Sequence, residues 1–568
     1  MISKHSLARI RLIASASVLV SFVLVVRLYL VQVIHSGEYE EKADRQYSNP
    51  TAELWDRGSI FFTTKSGDSV SAATLRQGFV LAIEPKKIAD AEAAFTQLSG
   101  YVALDRESFL ARAAKQNDPY EEIMSHVDPE VASRLRALAL PGVSLHKERW
   151  RFYPGENLAA HVLGFVGFDE DSRLSGRYGL ERYYEDTLSR ADANLYRNFF
   201  AEIFLDARKA ITKGGEGDII TSIEPSVEQY LEESLQNVVE QFGATQAGGI
   251  IMDPMTGRIF GMALSPAFNP NEYGKERDSR RFTNSLVENV YEMGSIVKPI
   301  TLASGLNARV VTATTTYNDR GTMTLNNKTI ANYDGKARGI VDMQEVLSQS
   351  LNIGAATVAL KLGSERLQDY FGRFGFGKET GIDLPGEAEG LIGNLKSGRD
   401  IELVTASYGQ GIALTPIQTV RALAALGNGG YLVTPQVVTK VAYGFGTTRS
   451  VSASEKIQVI RPETSEEITR MLVRVVDTAL LGGEYRMASH SIAAKTGTAL
   501  IASPEGGYYS DRFLHSFFGY FPAYRPQFIV FLYLVEPQGV TYASHTLTAP
   551  FMRIATFLIN YYDVPPDR

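Results

Sequence analysis

A serine and a lysine stand three residues apart in Gly294-Ser295-Ile296-Val297-Lys298-Pro299. On a helix the two side chains share a face, so Ser295 can serve as a nucleophile and Lys298 as its base. Pro299 suits the first turn of such a helix, because proline is tolerated there and disfavoured further in. The helix is therefore expected to begin close to Ser295. A serine at that end has the positive pole of the helix beneath it, which favours a developing oxyanion. Lys298 can take the Ser295 proton only if burial and nearby positive charge hold it neutral. The spacing alone decides little, since Ser144-Leu145-His146-Lys147 repeats it within the same chain.

Two further groups add chemistry. Ser350-Leu351-Asn352 follows an expected helical stretch at 343–349 and offers a hydroxyl to relay a proton and an amide to orient a substrate amide. Lys495-Thr496-Gly497-Thr498 follows 491–494 as if on a strand. Its lysine can hold a substrate carboxylate, and its glycine permits close backbone approach. Taken singly, Ser350 and Asn352 read as cap or turn residues and Lys495 as an ordinary strand cation. In order, however, S-x-x-K, S-x-N and K-T-G form the set found in penicillin-binding proteins and active-site serine β-lactamases.

The elements that must position these groups begin near Asp218. Residues 219–223 read as a strand, and Pro225 opens an amphipathic helix expected to reach Phe242. Residues 249–253 and 258–264 read as a hairpin through Pro254-Met255-Thr256-Gly257. Strands are expected at 516–521 and 528–535, the second apolar on both faces and hence central, followed by a helix at 550–562. Strands at both ends with helices between them predict an α+β domain whose sheet is assembled from distant segments. Residues 36–215 read as irregular, with a charged helical stretch at 118–138 and a short strand at 78–83, and carry no catalytic constellation.

Other stretches resemble the class B penicillin-binding proteins, the monofunctional peptidoglycan D,D-transpeptidases. Arg151-Phe152-Tyr153-Pro154, Gly164-Phe165-Val166-Gly167 and Gly179-Leu180-Glu181 look like their non-catalytic pedestal. Asp253-Pro254 with Thr256-Gly257, Pro266 and Asn271 looks like the start of their transpeptidase domain. Gly409-Gln410-Gly411 with Thr415-Pro416 and Gln418 resembles the stretch between their second and third motifs. The resemblance implies the penicillin-binding transpeptidase fold, a mainly antiparallel sheet flanked by helices, on an irregular α/β pedestal. The division it implies is a cytoplasmic tail at 1–11, a transmembrane anchor at 12–34, a pedestal of the dimerisation type at 35–217 and a transpeptidase domain at 218–568.

The same resemblance implies acylation of Ser295 by the penultimate D-Ala of a stem peptide, with Lys298 as base and Ser350 and Asn352 assisting. Lys495 with Thr496 and Thr498, around Gly497, would hold the terminal carboxylate, and the backbone N–H groups of Ser295 and Thr498 would form the oxyanion hole. An amine on a second stem peptide then replaces D-Ala, without metal, nucleotide or other cofactor. Tyr508-Tyr509 would either wall the cleft or form a packed loop. Ser350-Leu351-Asn352 followed by Gly354, Tyr408-Gly409-Gln410-Gly411, and Thr548-Ala549-Pro550 with Val564-Pro565-Pro566 look closer to the septal, FtsI-type cell-division enzyme than to the elongation enzyme. The implied partners are peptidoglycan stem peptides, β-lactam antibiotics, a polytopic SEDS-type glycosyltransferase and other division proteins. Two departures stand out. Met293 occupies the usual proline position before Gly-Ser, and Phe61-Phe62-Thr63-Thr64 replaces the usual Asp-Arg-Asn continuation after Arg57-Gly58-Ser59-Ile60.

With 44% apolar and 10% aromatic residues the composition is globular rather than disordered. The chain has 568 residues, 57 Lys and Arg against 64 Asp and Glu, and a formal charge of -7, with no basic runs, so nucleic acid is not an expected partner. It has no cysteine, which excludes disulfides, thiolate metal sites and a cysteine nucleophile. Residues 12–34 are mostly apolar, and a run of about 23 residues can cross a bilayer. Lys4, Arg9 and Arg11 precede the run, so the N-terminus is expected inside and the catalytic domain outside, in the periplasm. Ala14-Ser15-Ala16 resembles a signal-peptidase site but precedes most of the apolar run, which argues for an uncleaved anchor. Arg27 within the run must snorkel to the interface or meet another membrane protein. A β-lactamase or β-lactam sensor would share the three motifs but needs a base for a deacylating water, and no residue is assigned to that task. A non-enzymatic scaffold would have no need of all five polar groups.

Overall fold

The computed structural model describes residues 55–115, 117–170, 173–190, 215–443, 446–451 and 456–568. The cytoplasmic tail, the anchor expected at 12–34 and Arg27 lie outside these residues. No helix among the described residues is long and apolar enough to cross a membrane. The chain divides into two compact units, one containing Arg76–Trp150 and the other Asp56–Leu75 with Arg151–Arg568.

In the smaller unit the stretch at 118–138 is not one helix. It is a strand, Glu121–Val127, followed by a helix, Pro129–Ala137. The reason is local: proline can start a helix but not lie within one, and it holds the preceding Asp128 in an extended conformation, at φ -63° and ψ 146°. The strand pairs antiparallel with residues 79–83, the end of a 15-residue strand, Ser69–Ile83, which is longer than the expected 78–83. Leu81, Ile83, Leu98, Phe109 and Leu135 form this unit's core.

In the larger unit the departing segment Phe61-Phe62-Thr63 forms a strand with Ile60 that runs parallel to Gly217–Thr221, and Phe62 is buried. The chain then builds the frame of the site. Helix α1 (Pro225–Phe242) starts on Pro225 with the Glu224 carboxylate accepting from the Val227 N–H, and stops at the left-handed Gly243. Strands β1 (Gln246–Met252) and β2 (Ile259–Ser265) form the expected hairpin. A 3-10 turn at Gly294–Val297 runs into helix α2 (Lys298–Asn307). Helices α3 (Met343–Ser348) and α4 (Asn352–Leu362) follow, then strands β3 (Ala493–Ala502), β4 (Tyr508–Phe521) and β5 (Phe528–Val535), and finally helix α5 (Thr548–Tyr561).

The five strands form one antiparallel sheet in the order β3-β4-β5-β1-β2, so the first hairpin is joined to strands more than two hundred residues later. Strand β5 is central and serves two cores. Ile529, Phe531 and Tyr533 enter the core that contains Ile296 and Ile300. Val530, Leu532 and Leu534 enter the core that contains Leu231 and Leu235 of α1 and Phe551 and Leu558 of α5. Burial on both faces is why its sequence is apolar throughout rather than alternating. Each fully buried side chain of this kind contributes roughly 1.5–3 kcal/mol. Helix α2 is the inner element, with nine of its ten residues buried, Lys298 among them. Edge strand β3 lies beside the turn that precedes it, and the site forms at that junction.

Candidate active site

The start of α2 is fixed by contacts to its backbone from two distant segments. The Met293 carbonyl accepts from the Ser516 hydroxyl of β4 at 2.8 Å. The Gly294 N–H donates to the Gly409 carbonyl at 3.1 Å. A Cβ on Gly409 would lie 2.2 Å from the Gly294 carbonyl oxygen, so this approach requires glycine. Met293, at the position of the expected proline, is itself buried, and its held carbonyl and packed side chain fix the turn without a pyrrolidine ring. These contacts place Ser295 in the 3-10 turn and Lys298 at the first α-helical position, with Lys298 Nζ 3.0 Å from Ser295 Oγ.

Ser350 joins the set from the bend between α3 and α4. Its φ of +54° is in the left-handed region, which costs a non-glycine residue about 1–2 kcal/mol. That conformation turns its carbonyl to accept from Lys298 Nζ at 2.6 Å while its hydroxyl lies 3.1 Å from the same nitrogen. The hydroxyl oxygen also accepts from Lys495 Nζ of β3 at 3.0 Å, and Lys495 donates in addition to the Thr496 carbonyl at 2.9 Å. Ser350 therefore links the two lysines. Asn352 begins α4 and donates its side-chain N–H to the Ala331 carbonyl at 2.8 Å.

Both lysines are buried, Lys298 completely. Burial first, and the neighbouring Lys495 cation second, hold Lys298 well below the ordinary lysine range. Burial brings Lys495 down to about 7. A neutral Lys298 has two N–H groups, which the Ser350 carbonyl and hydroxyl accept. Its lone pair is then left for the Ser295 proton, at a distance within reach for general-base transfer.

Ser295, Ser350, Asn352, Lys495, Thr496 and Thr498 all open onto one cleft of about 520 Å³. Two of the expected site residues do not line it: Lys298 lies buried behind Ser295 and Ser350, and Gly497 packs inward, where a Cβ would lie 2.3 Å from Ser516 Oγ and 2.7 Å from the Met293 carbonyl oxygen. Its bare backbone lets β3 press against the nucleophile turn. Tyr508 and Tyr509 do not wall the cleft; they begin β4, and the Tyr508 hydroxyl donates to the Glu292 carboxylate at 3.0 Å. The aromatic walls are Tyr333, Tyr408, Phe513 and Tyr542. Tyr333 and Tyr542 meet edge-on, with ring centres 5.7 Å apart. Neither belongs to a motif, so the sequence carried no signal for them; Tyr408 lay in a noted segment without an assigned task. Ser144 lies in the strand Val143–Phe152, where residues three apart point to opposite faces, and so cannot pair with Lys147 as Ser295 does with Lys298.

Comparison with known proteins shows the family and the fold. The family described as penicillin binding protein transpeptidase domain matches residues 247–555, and that described as penicillin-binding protein dimerisation domain matches 56–194. The stage V sporulation protein D of Bacillus subtilis is 29% identical over 549 residues, covering 94% of this chain and 82% of its own. The peptidoglycan D,D-transpeptidase FtsI of Escherichia coli is 28% identical over 451 residues, covering 78% and 72% respectively. Among solved structures, penicillin-binding protein 3 of Mycobacterium tuberculosis, complexed with aztreonam, shares the fold with a TM-score of 0.69 at 20% identity, over 91% of this chain and 98% of that one.

Proposed function

Because the chain belongs to the penicillin-binding protein transpeptidase family, in its class B form with a dimerisation domain ahead of the transpeptidase domain, we propose that it cross-links peptidoglycan stem peptides through an acyl-enzyme on Ser295. As a serine-type D,D-transpeptidase it joins one stem peptide to another with release of D-Ala. The observation that carries the assignment of residues is the contact of a buried, deprotonation-prone Lys298 with Ser295 Oγ at 3.0 Å.

In the proposed sequence the terminal carboxylate of the donor peptide rests against Lys495, Thr496 and Thr498, and Asn352 orients the peptide amide. Lys298 takes the Ser295 proton as Oγ attacks the carbonyl carbon of the penultimate D-Ala. The backbone N–H groups of Ser295 and Thr498 receive the oxyanion. Collapse breaks the C–N bond, and the proton passes from Lys298 through the Ser350 hydroxyl to the departing D-Ala amine. An amine of a second stem peptide then attacks the ester, Lys298 takes its proton and gives it to the departing Ser295 Oγ, and both the serine hydroxyl and the neutral lysine are regenerated. A β-lactam enters the same path, but its leaving nitrogen stays tethered, so the acyl-enzyme persists.

The proposed setting is the outer face of the cytoplasmic membrane, with residues 12–34 as a single anchor, 35–217 as pedestal and 218–568 as the transpeptidase domain. Residues 350–354, 408–411 and 548–566 support a septal role, with elongation as the alternative, beside a SEDS-type glycosyltransferase and other division proteins. A fluorescent fusion at the division site, with filaments on depletion, would support the septal reading; round cells would favour elongation.

The direct test supplies the full-length protein with a stem-peptide donor ending in D-Ala-D-Ala and an amine acceptor. Free D-Ala and joined peptide are expected from the wild type and not from Ser295→Ala. A folded wild type that releases no D-Ala, or a Ser295→Ala variant that retains turnover, would overturn the proposal.

A further inference from the structure

His515 is fully buried and does not line the cleft, yet it lies directly opposite Thr498 in the pairing of β4 with β3. Residues opposite one another on antiparallel strands point to the same face of the sheet, so His515 stands beside the cleft-facing threonine. Both ring nitrogens are engaged by the loop that follows β5. Nε2 lies 3.0 Å from the Thr541 carbonyl, which can only accept, so Nε2 carries the proton. Nδ1 is then left to accept from the Thr546 hydroxyl at 2.9 Å, the nearer of the two acceptors in reach of that proton, the other being the Ala543 carbonyl at 3.2 Å. Burial lowers the ring to about 4, consistent with this neutral tautomer. The two bonds hold both ends of loop 541–546, and at its centre the Ala543 N–H donates to Thr498 Oγ1 at 3.1 Å. A hydroxyl oxygen that accepts in that direction has its own proton left to donate elsewhere, and Thr498 opens onto the cleft.

We propose that His515 is a positioning residue for recognition of the substrate's terminal carboxylate: it clamps both ends of loop 541–546, and through the Ala543 N–H of that loop it sets the Thr498 hydroxyl as a donor into the cleft. The inference rests on the reading above, in which Thr498 holds that carboxylate and Ser295 is acylated. His515 touches no substrate itself and acts only through Thr498.

The test compares acylation rates of the full-length protein with benzylpenicillin and with its methyl ester, in which the carboxylate is masked. His515→Ala is expected to slow acylation by benzylpenicillin about tenfold, the worth of one hydrogen bond to a charged group, and to leave the slower reaction with the ester nearly unchanged. Ala543→Pro removes the bridging N–H alone, and the extended Tyr542 before it accepts a following proline, so it is expected to show the same carboxylate-selective loss even if His515→Ala does not fold. In a Thr498→Val background neither change should slow the reaction further, because residues acting through one bond are not additive. His515→Gln, which can still donate to the Thr541 carbonyl, should recover part of the rate. Equal losses with acid and ester, or full additivity with Thr498→Val, would overturn the positioning role. A wild type that neither compound acylates would overturn the Ser295 reading and this inference with it.

Discussion

Two lysines donate to one hydroxyl oxygen, Ser350 Oγ, within a buried site, and like charges so placed oppose each other's protonation. Lys298 is the more depressed, so the base is neutral while Lys495 can still carry a charge for a substrate carboxylate. The sign of the pH dependence follows. The neutral base is present above the folded-state pKa of Lys298 and is lost as pH falls through it, so acylation by penicillin should slow as the pH is lowered, with a midpoint well below the ordinary lysine range. Lys298→Arg, which stays protonated, should slow acylation by about 10²–10⁴-fold in a stopped-flow assay with a reporter penicillin. Lys495, at about 7, is mostly neutral at pH 8, and a bound carboxylate favours its charged form. Binding of a D-Ala-D-Ala peptide to Ser295→Ala at pH 8 should therefore take up a proton, read as a binding enthalpy that varies with the ionisation enthalpy of the buffer; no such variation would contradict the role given to Lys495. At this scale Ser295, Lys298, Ser350, Asn352 and Lys495 were legible because their motifs come in order. The left-handed backbone of Ser350 and the clamp made by His515 were not, since each depends on partners far away in the chain.

Strand β3 and the nucleophile turn fit together only because Gly497 has no side chain. Gly497→Ala would drive a methyl group into the Ser516 hydroxyl and the Met293 carbonyl, and overpacking of this kind costs about 1–3 kcal/mol. The variant should melt at a lower temperature and also acylate more slowly, because the two elements that carry Lys495 and Ser295 must separate. A lower melting temperature with an unchanged acylation rate would mean that the fit serves stability alone. Elements with a strong local signal were legible: α1 runs from Pro225 to Phe242 as its cap and periodicity indicate, and β5 is central as its unbroken apolar run indicates. The charged stretch at 118–138 misled because its charges suit a helix while Pro129 divides it. The two readings of Tyr508-Tyr509, cleft wall or packed loop, could not be separated locally because β4 starts earlier than its apolar end suggests, which draws Tyr508 to Glu292 and leaves the cleft wall to residues such as Tyr542.

Across the larger unit, three short motifs that sequence alone could only match to a family pattern converge on one carboxylate. Glu181 accepts from Arg57 and Arg151 at 2.6 Å each and from the Tyr153 hydroxyl at 3.2 Å, and Glu185 takes a second Arg57 nitrogen at 2.7 Å. The two guanidinium groups and Glu181 are buried, so the cluster depends on its mutual pairing. Glu181→Gln should lower the unfolding free energy by about 3–5 kcal/mol in a urea titration, because it leaves buried positive charge uncompensated. A loss below 1 kcal/mol would show that water or rearrangement compensates the arginines. The long-range sheet pairing of β1 with β5 could be inferred only as strands at both ends of one domain, because no local pattern encodes which strands meet. The assignment of Ser295 is tested most directly by mass spectrometry of the full-length protein after exposure to benzylpenicillin, followed by peptide mapping. One penicilloyl group is expected, on the peptide that contains Ser295, and absent from Ser295→Ala; an adduct on another residue, or one that survives in Ser295→Ala, would contradict it.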